Sequence, residues 1–407
     1  MKKRRCIIGQ SGGPTVAINS SLAGVIDGAI ASSMYERIYG MRNGIEGLLD
    51  LQIVNLSERF TTLDLVERLR KTPAMYLGSC RYKLDTNDTE TLSKIFSILE
   101  NFQIDDFFYI GGNDSMDTIL KLSDYGKQID SPIRFIGIPK TIDNDLVGTD
   151  HTPGFGSAAK YIATTMLEVM YDCAIYNKPS ITIVEIMGRN AGWLTAAAAL
   201  AKTEAMEGVD LIYLPELAFD VDQFLNDVDY ILQTKKKQVL VAVSEGIKDK
   251  KGNYIQDGEI SGQVDAFGHI SRSGAGKALE KIAANHFQCK VRSVEINVLQ
   301  RSCMHCASET DLKEAFLIGR SAVGKALEGN SGIMLTYERV PGNSYQVRIG
   351  TVDVHESANK ERLVPREWIN KEGNHVNGTM INYLTPLIQG EVMLEYKGGV
   401  PSYLPLM

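Results

Sequence analysis

The stretch Asp106-Phe107-Phe108-Tyr109-Ile110-Gly111-Gly112-Asn113-Asp114-Ser115 reads as a buried strand, a glycine turn and the polar opening of a helix. A strand so continuously apolar has to be covered on both faces, the mark of a parallel sheet flanked by helices. Glycines between strand and helix let backbone N–H groups approach an anion at the helix N-terminus. The same unit recurs along the chain. Cys6–Gly9 leads into Gly12-Gly13 and a helix over Val16–Ala31, and Ile133–Ile138 leads into Pro139-Lys140-Thr141-Ile142-Asp143-Asn144-Asp145. Ile181–Ile186 leads into Met187-Gly188-Arg189, and Val239–Val243 into Ser244-Glu245-Gly246. Strands over Arg37–Met41, Leu211–Leu214 and Val291–Val298 complete the set. Helices over Asp114–Ser123, Ser157–Tyr176, Gly192–Ala201, Val221–Lys235, Gly276–His286 and Asp311–Glu328 fill the intervals. This alternation predicts an α/β fold with mainly parallel sheets. Near the C-terminus, Ile333–Tyr337 and Tyr345–Val352 flank Pro341-Gly342-Asn343-Ser344 and predict a hairpin.

A chain of 407 residues has room for two or three domains. Hydrophobic residues at 44% and charged residues at 23% exclude disorder, a fibre and a small disulfide scaffold. The net charge of −7 gives no global attraction for nucleic acid, so a polyanion has to be held in a local pocket. The basic start Met1-Lys2-Lys3-Arg4-Arg5 is not followed by the apolar core of a signal peptide. No apolar run approaches the ~18–20 residues of a membrane span, so no membrane partner is expected. Six cysteines are sparse usage that suits a reducing cytosol. His286-x2-Cys289 and Cys303-x2-Cys306 have a spacing compatible with zinc, but the expectation is separate local environments. With no linker or repeat, the domains are expected to be interleaved and closely packed.

Ligands of open α/β sheets sit outside the carboxyl ends of the strands, and five such ends here combine glycine with charge. Singly, each loop is as well explained by a solvated turn; jointly they predict one anion-binding site. Asp143 and Asp145 beside Lys140 are costly to crowd unless a cation or a proton transfer uses them. Three motifs point elsewhere. Gly319…Gly324-Lys325-Ala326 nearly matches a P-loop but lacks the final hydroxyl and lies in a helical stretch, and Gly154-Phe155-Gly156 lacks a preceding strand. Gly9-Gln10-Ser11-Gly12-Gly13 matches a nucleophile elbow and opens the reading of a serine hydrolase acting through Ser11, which leaves Lys140 and Arg189 idle.

Taken in order, Gly12–Asn19, Gly78-Ser79-Cys80-Arg81, Gly111–Ser115, Lys140–Asp145, Thr149–Gly156, Met187–Gly192, Ser244–Gly246 and Gly268–Arg272 resemble the phosphofructokinase family. The resemblance implies two similar, interleaved α/β domains with the active site in the cleft between them. It implies a donor domain from 1–155 with about 275–330, and a sugar-phosphate domain from 156–274 with about 331–407 that includes the C-terminal hairpin extension. Asp143 is implied as the base for the 1-hydroxyl of fructose 6-phosphate, and Lys140 as a stabiliser of the transferring phosphoryl group. Gly12, Gly13 and Arg81 align with donor contacts. Thr141, Ile142, Asp143, Met187, Gly188, Arg189, Glu245, His269 and Arg272 align with sugar-phosphate contacts. Asn113 stands where many members carry the Asp that meets Mg²⁺. Asp114 occupies the place of a glycine in ATP-using members, where it fills the space of the α-phosphate. With Lys140 it implies inorganic pyrophosphate as donor, ATP being the alternative donor and sedoheptulose 7-phosphate an alternative acceptor. Ser180 and Gln263 stand where shorter bacterial members bring arginines from a neighbouring subunit. A cytoplasmic homodimer or homotetramer is implied as well.

Overall fold

The computed structural model describes residues 3–256, 274–342 and 344–407. The chain opens with β1 (Arg4–Gln10), β2 (Tyr35–Met41), β3 (Ile53–Asn55), β4 (Asp106–Gly111) and β5 (Arg134–Pro139), all in one sheet. A second sheet takes β6 (Ser180–Ile186), β7 (Leu211–Tyr213), β8 (Gln238–Ser244) and β9 (Lys290–Glu295) in the order β7-β8-β6-β9, every pairing parallel. The hairpin strands β10 (Ile333–Arg339) and β11 (Val347–Asp353) then return to the first sheet, whose order is β11-β10-β5-β4-β1-β2-β3. Its central pairings are parallel, and only β2–β3 and β10–β11 run antiparallel.

Alternate side chains of a strand face opposite ways, and the first sheet feeds two cores by that rule. Ile8, Phe108 and Ile136 enter one cluster; Ile7, Phe107 and Phe135 enter the other. In the second sheet Ile183 and Val241 face one cluster, and Val184 and Ala242 the other. Burial on both faces is why these strands lack polar alternation. Where sequence and structure differ, pairing decides. The strand read over Val291–Val298 stops at Glu295, because Val298 caps a short helical turn over Leu299–Ser302. The helix read over Gly192–Ala201 is a turn of α-helix running into a 3₁₀ segment.

The expected domain division needs correction. β9 pairs with β6 in the second sheet, although 275–330 was placed with the first; the hairpin within 331–407 extends the first sheet, although it was placed with the second domain. In strand order the chain leaves the first sheet after β5 and returns to it once, at β10.

The helices that matter to the cleft are α1 (Ile18–Ser32), α2 (Asn113–Gln128), α3 (Phe155–Ala174), α4 (Ala275–His286) and α5 (Glu309–Leu327). The P-loop-like Gly319 lies inside α5, where it lets that helix touch α1: a Cβ there would sit 2.1 Å from the Ser21 carbonyl oxygen. Across the same crossing, a Cβ on Gly24 would sit 2.0 Å from the Phe316 carbonyl oxygen, and Ser20 Oγ donates to the Leu312 carbonyl at 2.6 Å. Among the described residues no helix is long and apolar enough to cross a membrane. Because backbone cannot yield to the added methyl, Gly24→Ala should prise α1 from α5 and cost about 1–3 kcal/mol, the usual penalty of overpacking. Urea unfolding measures it; an unchanged midpoint would show that the crossing is slack.

Candidate active site

The carboxyl ends of both sheets open into one cleft of about 990 Å³. Into it come Gly12 and Gly13 after β1, Gly112–Ser115 at the start of α2, Lys140–Asp143 and Asp145 after β5, Met187 and Arg189 after β6, and Glu245 after β8. Arg81 lines it too. Gly188 stands behind this wall, its N–H donating to Glu245 Oε1 at 3.4 Å. His269 and Arg272 lie outside the described residues.

Lys140 leaves β5 with its side chain almost wholly buried, Nζ donating to the Gly13 carbonyl at 2.7 Å. Its own N–H donates to the Gly111 carbonyl, so the loops after β1, β4 and β5 are tied together at this residue. Thr141 Oγ1 accepts the Asp143 N–H at 3.1 Å, and Asn144, in the left-handed region at φ 56°, donates to the Tyr383 hydroxyl at 2.8 Å. These bonds make the Asp143-Asn144-Asp145 turn rigid.

Burial sets the electrostatics. It draws the Lys140 ammonium down to about 8, and the Asp143 carboxylate keeps it from falling further. Burial likewise raises Asp143, against the pull of Arg189 and Lys140. Asp145 and Glu245 are each pushed up to about 7, by burial first and by the Asp143 charge second. Carboxyls whose proton affinity lies near neutrality are suited to proton transfer. Arg189 Nε is buried without a hydrogen-bond partner among the described residues.

Several lining residues escaped the sequence reading. Arg301 faces Gly13, its Nη1 3.2 Å from where a Cβ on that glycine would stand. Burial and the Arg81 charge lower its proton affinity. Glu185, on β6, lines the cleft and accepts the N–H groups of Gly274 and Gly276 at the start of α4. Asn359 and Glu361 arrive from the C-terminal segment. None of these belongs to a glycine-rich strand end or to the segments that carry the family resemblance.

Several residues behind other readings are already bonded within the protein. Asn113, expected to meet a metal, has its amide bonded at both ends: Oδ1 accepts the Asn359 N–H and Nδ2 donates to the Lys360 carbonyl. Ser11 is buried, hydrogen-bonded to Ser115 Oγ. The buried histidine of the neighbouring loops, His151, is engaged by Asp150 and Glu314. No hydrogen bond joins Ser11 to a histidine or a carboxylate among the described residues. Cys289 packs beside the Ile181–Val241 core, while Cys306 bonds Thr164 on α3. Among the described residues no group of three or more His, Cys, Asp or Glu has metal-holding geometry.

A sequence profile described as Phosphofructokinase matches residues 5–295. The chain is 38% identical, over all of its length and 97% of the relative's, to the pyrophosphate–fructose 6-phosphate 1-phosphotransferase of Xanthomonas campestris pv. campestris. It is 36% identical to the enzyme of the same name from Methylococcus capsulatus, over all of this chain and 96% of that one. The crystal structure of a pyrophosphate-dependent phosphofructokinase from Nitrosospira multiformis superposes with a TM-score of 0.88 at 35% identity, covering 98% of this chain and 96% of that one.

The Lys140–Asp143 pairing makes a prediction independent of any ligand. Lys140 should titrate near pH 8, well below the ordinary lysine value of about 10.4. Asp143→Asn removes the charge that supports the ammonium and should lower the value further. Side-chain ¹⁵N NMR of the lysines reads both; titration in the ordinary range would show that the amine is solvated.

Proposed function

The chain belongs to the phosphofructokinase family, and from that premise we propose that it transfers a phosphoryl group reversibly from inorganic pyrophosphate to the 1-hydroxyl of fructose 6-phosphate. The products are fructose 1,6-bisphosphate and phosphate. The observation that carries this reading is the buried Lys140 ammonium, anchored on the Gly12-Gly13 loop and facing Asp143 in a cleft walled by both sheets. In the forward direction Asp143 takes the proton of the 1-hydroxyl as that oxygen attacks phosphorus. The new P–O bond forms while the bridging P–O bond of pyrophosphate breaks and phosphate departs. Phosphoryl transfer asks mainly for positioning and charge stabilisation. Lys140, Arg81 and Arg301 supply cationic charge on the donor side, and Arg189 on the side of the second sheet.

The residues fit magnesium. Mg²⁺ is bound by one or two carboxylates together with substrate phosphates, and Asp143 and Asp145 crowd the cleft with oxygen and negative charge. Asp145 would hold it, with the remaining lone pair of Asn113 Oδ1 or a water on it. When bound, the ion neutralises charge on the pyrophosphate oxygens.

Asp114 supports pyrophosphate over ATP. It lines the cleft in the first turn of α2, two residues beyond the glycine turn. A carboxylate there takes space and repels the further phosphate of a nucleotide. Six unpaired cysteines suit a reducing cytoplasm, and a homodimer or homotetramer is proposed from the family resemblance.

Purified protein with Mg²⁺ and fructose 6-phosphate should favour pyrophosphate over ATP at least about tenfold in kcat/KM, or about 1.4 kcal/mol. Equal use of ATP would overturn the donor assignment. Asp114→Gly should narrow the gap by admitting ATP and weakening pyrophosphate use. Asp143→Asn should fold normally and lose about 10²–10⁴-fold in kcat, the usual contribution of a general base. Half the wild-type kcat in that variant would remove Asp143 from the role.

A further inference from the structure

Residues 359–362 cross from one wall of the cleft to the other. At the first sheet, the Asn359 N–H donates to Asn113 Oδ1 at 2.6 Å, and Asn113 Nδ2 returns a bond to the Lys360 carbonyl at 2.7 Å. Asn359 Nδ2 also holds Asp117 Oδ1, one helical turn on along α2. Asn359 makes these contacts from the left-handed region, at φ 61°, where Asn is better tolerated than most residues. At the second sheet, Glu361 Oε1 accepts from Asn190 Nδ2 at 2.8 Å, and Asn190 directly follows Arg189.

The next residue anchors the segment. The Arg362 N–H donates to the Asp145 carbonyl at 2.7 Å, and its own carbonyl accepts Trp193 Nε1 at 2.9 Å. Its guanidinium lies 4.3 Å from the Trp193 ring centre, donates to the Thr149 and Asp150 carbonyls and reaches the Tyr383 hydroxyl. Four consecutive residues thus join the start of α2, the Asp143–Asp145 turn and the turn after β6.

We infer that Asn359–Arg362 is a strap that fixes the spacing of the donor-side and acceptor-side loops, and that Glu361 and Asn190 are positioning residues forming its latch on the acceptor side. The latch is the replaceable part. On the donor side the strap is tied through backbone groups as well as the Asn359–Asp117 side-chain bond, and Arg362 is deeply anchored, whereas Glu361 and Asn190 meet by side chains alone. Neither has to touch a reacting atom to matter, because misplacing bound groups by about 1 Å can cost 10²-fold in rate. The inference rests on the phosphotransferase reading, since it assigns one wall to each substrate.

The experiment begins with wild-type turnover on pyrophosphate, fructose 6-phosphate and Mg²⁺; its absence would sink the activity assigned above and not the strap. With turnover in hand, kcat and both KM values are measured for Glu361→Ala, Asn190→Ala and the double variant, with thermal unfolding alongside. Each single variant should lower kcat about tenfold or more and raise KM for both substrates, including the one bound on the far wall. The double variant should be no worse than either single one, because the two residues make one bond. Glu361→Gln keeps an acceptor for Asn190 and should retain kcat within about threefold of wild type. Asn190→Asp sets two carboxylates face to face and should be impaired, and adding Glu361→Gln should restore it, which keeps the test open if Glu361→Ala does not fold. Unchanged kinetics in the alanine variants, penalties that multiply in the double variant, or no rescue of Asn190→Asp would each overturn the latch.

Discussion

Holding one ammonium group out of water is the constraint around which the cleft is arranged. A buried lysine without compensation loses its proton. Lys140 is pulled down to about 8 and no further because a carbonyl and a carboxylate face it. The carbonyl is that of Gly13, which commits the loop after β1 to an unusual path: Gly12 takes φ 80°, and a Cβ there would stand 3.3 Å from Lys140 Nζ. The carboxylate is Asp143, which has to stay in register with Lys140 and so sits in a turn pinned by Thr141 and Tyr383. Glycine before α1, rigidity after β5 and the tie from Lys140 N–H to Gly111 follow from the same demand.

The strands and their terminal loops were legible because each loop announces itself by composition next to a continuous apolar run. Lys140, Asp143, Arg189 and Glu245 were found that way, and the structure brings them into one cleft. Arg301, Glu185, Asn359 and Glu361 were not found. Arg301 rides on a single helical turn, Glu185 looks like one more residue of a buried strand, and Asn359 and Glu361 meet partners more than 150 residues away in sequence, which local composition does not reveal. The placement of β9 and of the hairpin differs from the expected one for a related reason. Which sheet β9 or β10 joins depends on pairing partners far away in sequence, and an apolar strand carries no label for its neighbour.

Some of the most specific sequence in the chain turns out to be scaffold. Thr149–Gly156 carries a motif as distinctive as any in the cleft, yet its polar groups are spent internally. His151 is buried between Asp150 and Glu314 and stacks on Tyr337, with ring centres 4.5 Å apart. Asp311 accepts the N–H groups of Gly154 and Ser157, which opens α3 against α5. Buried polar groups that satisfy one another in this way specify a unique arrangement of loops. The motif is specific because the loop beside the site has to be held in one place.

The charges inside the cleft are left unbalanced in both directions. Asp143, Asp145 and Glu245 are all raised by burial, so the protein alone does not fully stabilise their charged forms. In the same cleft the Arg189 guanidinium has a buried N–H with no acceptor among the described residues. A simple anion would answer the arginine and aggravate the carboxylates; a simple cation would do the reverse. The proposed donor, a polyphosphate carrying a divalent cation, would bring both signs at once: the acidic turn would hold the cation, and Lys140 and the arginines would hold phosphate oxygens. The charges of the cleft therefore suit the proposed metal–polyphosphate donor better than either ion alone.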